Sequence, residues 1–447
     1  MSSMFDTAVN AFRVESLRKR LLYTFMILGL FMLGGLVPVP GIDGEKYTEL
    51  VRQWGQLSSI MDMVSGGGLL HATIFAMGVS PYINASIIIQ LLQVVIPPLE
   101  ELSKEGESGR KKISKITRYS ALGLALVQSS LFCYSTRSAM NSSLPTWLNA
   151  ALVILSFTAG AAIVVFLGEK INAKGIGNGV SLIIFAGIVT RLPGMARTLY
   201  LKALDISGQL NPAVVGVIVG ILVFVGVALI ALAIIVFVLF VQNAERRIPV
   251  QYSKKVIGRQ SRGGNRDYIP IKVNQSGVMP VIFAMSILAL HSIISTLFFA
   301  NSTNPVIVWL RNFSGSVWYY LAYFILIFAF TFFYTMIQFH PIEIANNINK
   351  NGGTISGVRS GKPTSDFIAK TAWRLNWIEA AFLVLVCIVP TVIGILTGFE
   401  NVWFAGTSVL ILTSVANDLI VQIEGELEVR SPKGFLDDMV TIRSGKK

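Results

Sequence analysis

Two cysteines, three histidines and few charges are all that this 447-residue chain offers to the usual reactive chemistries. Cys133 and Cys387 both fall in apolar runs, which argues against a disulfide framework and for buried free thiols. His71, His291 and His340 are far apart and lack metal-ligand spacing, and no Ser/His/Asp or Cys/His arrangement stands out. Nucleotide loops fail on inspection as well. In Gly357–Thr364 the first glycine stands one residue too close to Gly361-Lys362, and Pro363 occupies the place of the Mg²⁺-binding hydroxyl residue. Gly175-Ile176-Gly177-Asn178-Gly179 has no strand before it and an apolar run after it. The reading is therefore no cofactor, no metal and no enzyme in the chain itself, so that uphill work must draw on a partner or an ion gradient. Carboxylates in the apolar runs reduce to Glu379 and Asp418, each near a cytoplasmic end. They read as interfacial acids pairing with Arg374 or a backbone group, which disfavours an ion-coupled carrier.

What the chain has in quantity is apolar length. Hydrophobic residues make up 53% and charged residues 14%, more apolar surface than a soluble core could use. Ten apolar runs stand out at 21–37, 72–96, 119–135, 148–168, 179–192, 213–241, 274–300, 316–339, 375–397 and 403–421. Each is roughly long enough to cross a hydrocarbon core of about 30 Å. With the N-terminus inside, the cytoplasmic segments collect 30 of the 37 basic residues and the outer loops 7. That asymmetry is the one the positive-inside rule requires, and it puts both ends in the cytoplasm. The fifth run is cut short by Arg191 and Pro193, yet removing it would turn the eight basic residues of 242–273 outward. The sixth is long enough to tilt. Arg18-Lys19-Arg20 precedes an apolar run ending in Pro38 and Pro40 without a small-residue cleavage pattern, so no cleavable signal is expected. Before it, Phe5, Val9 and Phe12 share one face of an amphipathic surface helix. The net charge of +13 then reads as basic loops that hold orientation and meet anionic lipid.

This is an all-α polytopic membrane protein in outline, with segments 1–20, 21–212, 213–421 and a tail at 422–447. Five crossings per half would place a second, similar half upside down, although no residue-level repeat is visible. Residues 38–71 form a long outer excursion ending in Ser65-Gly66-Gly67-Gly68, and 242–273 and 340–373 are large, basic inner loops. Loops of that size are usually functional or disordered. In the second run, Ser80, Asn84 and Ser86 sit among β-branched residues and Pro81 removes a backbone donor, as in a span facing protein or a watery cavity. Val79 and Ile83 share a helical face, as do Val180 and Ile184, a spacing that ordinary packing also produces.

Motifs spread along the chain now add up. They are Glu105-Gly106-Glu107-Ser108-Gly109-Arg110-Lys111-Lys112-Ile113, Pro81-Tyr82-Ile83 followed by Ala85–Gln90, Gly175–Gly179 and Ile183–Val189. Further on come Glu245-Arg246-Arg247-Ile248-Pro249-Val250, Ile271–Asn274, Gly277–Phe283 and Gly406-Thr407-Ser408. In this order, from about residue 15 to 425, they resemble the SecY family, the channel subunits of bacterial protein export. The resemblance implies ten transmembrane helices in two inverted five-helix halves, a clamshell around an hourglass pore. It places Val79, Ile83, Val180, Ile184, Ile282 and Ile411 in the pore ring, with Val at two positions where Ile is common. An aliphatic ring of this kind excludes ions by dewetting yet seals around a moving chain. The plug would lie at about 59–72, through Ser65, Gly66, Gly67 and Gly68, where glycine interrupts helix and leaves a movable element. Asn84, Gln128 and Asn274 would line a lateral gate whose hydrogen bonds, worth ~1 kcal/mol each, yield to an incoming apolar signal sequence.

The same resemblance makes the two basic loops docking sites for the motor ATPase SecA and for ribosomes, through Arg247, Lys254, Lys255, Arg259, Arg359 and Lys362. Gln260 stands where many relatives carry another base. Expected partners are SecE, SecG, SecA, the ribosome, preproteins with signal sequences, and anionic lipid of a bacterial cytoplasmic membrane. The expected function is passing unfolded preproteins across the membrane and releasing apolar segments sideways. A small-solute transporter of the inverted-repeat type is the second reading, and a pore-less scaffold the third.

Overall fold

The computed structural model describes residues 12–52, 65, 67–140, 145–208, 213–252, 255–257, 260–262, 266–298, 308, 313, 316–397 and 406–430. Phe5, Val9, Gly66, Lys254, Arg259, plug residues 59–64 and tail residues 431–447 lie outside that set. Each of the ten apolar runs contains a described helix or a large part of one. By length and composition alone, Thr146–Lys174, Val317–Lys350, Lys362–Pro390 and Thr407–Leu427 suffice to cross a membrane among the described residues. The bent pair Ser80–Val95 and Pro97–Lys104, turned by 101°, is a candidate fifth span. Outward-facing apolar side chains on the first helix, such as Leu22, Phe25, Met26 and Leu33, are exposed as a lipid face would be.

The chain divides into two compact units. One comprises residues 1–193 and 415–447, the other 194–414. The first contains α1 (Glu15–Gly34), α2 (Gly44–Arg52), α3 (Ser80–Val95), α4 (Pro97–Lys104), α5 (Glu107–Ser135) and α6 (Thr146–Lys174). It also takes the start of α7 (Gly179–Gly208), which crosses the division. Helices in lipid pack without a hydrophobic drive between them, so close backbone approach decides the contact. On α5, Thr117, Ala121, Ala125, Ser129 and Cys133 recur every fourth residue and are all buried. This narrow stripe lets α3 and α6 pack along α5. Farther along α6, a Cβ on Gly160 would run into the carbonyl oxygen of Ile74. Phe132 and Phe157 close the layer edge to face at 5.4 Å.

The second unit holds α8 (Ala213–Gln242), strands β1 (Glu245–Tyr252), β2 (Lys255–Ile257), β3 (Gln260–Arg262) and β4 (Arg266–Lys272), then α9 (Met279–Phe298) and α10 (Val317–Gln338). It continues with α11 (Pro341–Lys350), β5 (Gly353–Ile355) and α12 (Lys362–Thr397), and the chain then enters α13 (Gly406–Arg430). α10 packs between α9 and α12.

Helices outlast the apolar runs in several places. α5 begins at Glu107 rather than near 119, α7 passes through Pro193 to Gly208, and α12 begins at Lys362 rather than near 375. Hydropathy marks the part that suits lipid, whereas helix continues wherever its backbone bonds and polar pairs such as Lys111–Glu107, 2.8 Å apart, sustain it. The second run differs the other way. Residues 67–79 form consecutive turns, and helix starts only at Ser80. Positive φ at Gly67 (+92°), Ala72 (+48°) and Gly78 (+52°) breaks the right-handed spiral, and Pro81 suits a helix start.

The two long basic segments, 242–273 and 340–373, are not loops throughout. β1 pairs antiparallel with β4 from Glu245–Lys272 to Gln251–Arg266, and with β5 through Val250–Ile355, Gln251–Thr354 and Tyr252–Gly353. The strand order is β4-β1-β5. Ile248 and Val250 alternate inward with exposed Arg247 and Pro249, and they pack with Ile271, Ala345, Ile348, Ile355, Ile368 and Leu375. Two segments a hundred residues apart thus form one small module with its own core.

Candidate functional site

The aliphatic candidates cluster at helix mouths. Val79 immediately precedes α3, and the Ile83 N–H donates to the Val79 carbonyl at 3.0 Å in the first turn. Val180 opens α7, where the Asn178 side-chain oxygen accepts from the Val180 N–H at 3.1 Å and the Ser181 N–H at 3.4 Å. The Asn172 side chain accepts from the Gly179 N–H at 2.7 Å. Ile282 lies in the first turn of α9, its N–H donating to Val278 at 3.2 Å. Three of these mouths follow a glycine with positive φ: Gly78, Gly177 (+87°) and Gly277 (+64°). A tight turn into the helix leaves the first apolar side chains on a defined bearing. Val79, Ile83, Ile184 and Ile411 are buried, and Val180 and Ile282 are half-buried.

The described part of the plug segment is closely held. Ser65 is buried and its hydroxyl oxygen accepts from the Leu69 N–H at 3.2 Å. Thr73 donates its N–H to Gly68 at 3.0 Å, and its hydroxyl reaches the same carbonyl. The stretch is tied to the exit of α1, since the Val39 N–H donates to Ala72 at 2.8 Å and the Ile74 N–H to Val37 at 3.0 Å. Leu69, Ala72 and Ala76 enter the core formed with Val39, Tyr47, Phe132 and Phe157. A polar chain runs alongside. The Thr158 hydroxyl donates to Ser129 Oγ at 3.1 Å, and Ser129 donates to Met77 Sδ at 3.1 Å.

Asn84 on α3 and Gln128 on α5 are buried on two helices that pack together. Asn274 is buried between β4 and α9. The side-chain oxygens of Asn84 and Asn274 have no hydrogen-bond partner among the described residues. Two residues beyond Asn274 lies a contact that the sequence did not disclose. Glu379 of α12 is fully buried, and its Oε1 accepts from the Ser276 N–H at 2.7 Å and from the Ser276 hydroxyl. The acid was visible as an oddity in an apolar run, but its partner was not. Arg374 is exposed, so the backbone partner is the one realised.

On the module, the Arg247 guanidinium bonds Glu245 at 2.6 Å and stacks over Tyr268 at 4.7 Å. The Glu245 hydrogen bond raises its already high pKa. Arg359 and Lys362 are exposed on the turn between β5 and α12, where Gly357 and Gly361 carry positive φ and the Thr364 hydroxyl donates to the Arg359 carbonyl at 2.8 Å. β5 joins that turn to the same body as Arg247. Lys255 lies in β2, and the described structure stops at its backbone.

Comparison with known proteins fits this architecture. The SecY family model matches residues 73–420. This chain belongs to the SecY family. The protein translocase subunit SecY of Streptomyces griseus is 42% identical, over 97% of this chain and 100% of its own length. Among solved structures, a SecY channel described by the role of its plug domain in the closed state aligns with TM-score 0.63 at 19% identity, covering 92% of each chain. Sec61 in the canine ribosome-channel complex from the endoplasmic reticulum aligns with TM-score 0.61 at 18% identity, again over 92% of each chain. These likenesses establish a SecY/Sec61 fold, and the family makes the chain a multi-pass membrane protein. Nothing among the SecY-family matches supports a small-solute transporter.

Proposed function

We infer that this SecY-family chain is the protein-conducting channel subunit of a translocase, with no chemistry of its own. The observation that carries the inference is 42% identity over nearly the full length with a protein translocase subunit, on a fold shared with solved channels. Ten crossings, in halves 21–212 and 213–421 with both ends cytoplasmic, are the reading that the apolar runs and the bias of basic residues support. The membrane would be the bacterial cytoplasmic one. Val79, Ile83, Val180, Ile184, Ile282 and Ile411 form the pore ring, and the segment around Ser65–Gly68 is the plug. Asn84, Gln128 and Asn274 line the lateral gate. Physically, each unsatisfied backbone group in hydrocarbon costs several kcal/mol, so an extended preprotein needs an aqueous path while an apolar helix needs an exit to lipid.

The β-module with Arg247, together with Lys254, Lys255, Arg259, Arg359 and Lys362 along the same two segments, is the docking surface for SecA and the ribosome, whose RNA is anionic. Ribosome docking is supported by the canine Sec61 complex, and SecE and SecG are the expected membrane partners. Anionic lipid meets the remaining basic loops. Single-channel conductance in planar bilayers tests the reading, using the intact protein and a variant lacking residues 60–70. A silent intact channel with large, flickering currents in the deletion supports a plugged, protein-sized pore. Silence in both, with the variant folded, sinks it.

A further inference from the structure

The link between Glu379 and Ser276 sits at a mechanically sensitive place. Ser276 is two residues past Asn274 and six before Ile282, so it lies between a gate candidate and a ring candidate on the lead-in to α9. That lead-in is fastened at two points. At the first, the Val273 N–H donates to the Ala244 carbonyl at 2.9 Å, tying the end of β4 to the end of α8. At the second, Ser276 donates twice to Glu379 Oε1. Between Ser276 and the helix there is only Gly277 at φ +64° and Val278. Glycine gives α9 a swivel there, and without the second fastening the helix start could pivot about it.

Glu379 is well placed to hold that swivel. It stands one turn beyond Leu375, which with Ile368 roots α12 in the core of the β-module. A side-chain oxygen accepting two hydrogen bonds from one residue in a dry site makes a directional contact. The surroundings are not equally satisfied. Glu379 Oε2, the side-chain oxygen of Asn376 one turn earlier, and both amide atoms of Gln275 lack hydrogen-bond partners among the described residues. Purely structural polar sites in a protein interior are normally fully paired. One good contact amid unpaired neighbours holds a position firmly while leaving little net stability behind it, which suits a contact made to be released.

We propose that Glu379 is a latch: a positioning residue on α12 that fixes the lead-in of α9 through Ser276 and so restrains opening of the seam until a signal sequence or a partner at the β-module displaces it. This rests on the channel reading above, because it takes α9 to be a gate helix. It assigns Glu379 a restraining role in which the acceptor oxygen matters and the charge does not.

The test is export into vesicles containing the complete translocase, with a normal precursor and one whose signal sequence has been weakened by polar substitution. Glu379→Ala is expected to raise export of the weakened precursor several-fold while the normal one is unchanged, and Ser276→Ala, which keeps the backbone N–H bond, to raise it by a smaller factor. The double variant is expected to do no more than Glu379→Ala alone, since Glu379→Ala already removes both bonds and Ser276→Ala only the hydroxyl one. Glu379→Gln retains the acceptor and is expected to stay near wild type. Unchanged discrimination in folded Glu379→Ala and Ser276→Ala overturns the latch, as does an equal fall in export of both precursors. Should Glu379→Ala fail to insert, Glu379→Leu, close to Glu in volume and without an acceptor, decides in its place, because it removes both bonds from Ser276. Failure of the wild-type protein to export the normal precursor would count against the channel reading, not against the latch.

Discussion

Gly160 of α6 faces the carbonyl oxygen of Ile74 with no room between them for a side chain. The obstacle is backbone, within a stretch already tied to the exit of α1, so it cannot swing aside. Gly160→Ala is expected to destabilise the first unit by about 1–3 kcal/mol, the usual range for overpacking. Thermal unfolding in detergent would read this as a lower midpoint, and an unshifted midpoint would show that the 67–79 stretch is softer than its bonds imply.

Dewetting at the aliphatic helix mouths gives a second expectation. Ile83→Asn puts a hydrogen-bonding group into the proposed aliphatic ring, where it would favour water. Ion leak through the resting channel should rise several-fold in planar bilayers with export still supported. A scaffold or a solute carrier would show no such leak.

The β-module should behave as a folded body in its own right. Ile368 is fully buried in its core, so Ile368→Ala is expected to cost about 2–5 kcal/mol through lost contacts and a residual cavity. Limited proteolysis should then cut within 242–273 and 340–373 together rather than in one loop first. Cutting in only one would count against a shared core.

Arg359 and Lys362 are exposed, so reversing both to Glu should change stability by no more than ~0.5 kcal/mol. Affinity for SecA should fall nonetheless, and the difference should shrink as salt is raised, because exposed charges are screened. A salt-independent difference would point to misfolding of the turn.

Asp43 offers a pH expectation outside the membrane. The Lys46 backbone N–H leads the groups that lower its pKa, and its Oδ1 also accepts from the Glu45 N–H at 3.2 Å. A carboxylate depressed in the folded state adds stability that is present above its unfolded pKa and is lost as pH falls through the folded one. Wild type should therefore lose part of its thermal stability on acidification below about pH 4 that Asp43→Asn, which still caps α2, does not lose.

Much of this was legible in the sequence because membrane spans announce themselves one residue at a time. Each apolar run holds a described helix or a large part of one, although the second does so only from Ser80, which the run itself did not show. What escaped was whatever depends on a distant partner. Gly353–Ile355 is too short to carry a strand period, and only Val250, Gln251 and Tyr252 opposite it make it a strand. Glu379 was conspicuous, but Ser276 is an ordinary serine until α12 is placed beside it. The start of α12 at Lys362 was hidden because charged residues sustain a helix without raising hydropathy.

That three-residue strand has a mechanical consequence. By splicing the turn bearing Arg359 onto β1, it turns two separate basic segments into a single handle, one whose stem is α12 and whose straps are the ends of α8 and α9. A push delivered anywhere on it cannot remain local: the load reaches three membrane helices at once, through main-chain bonds that do not depend on which side chain was touched.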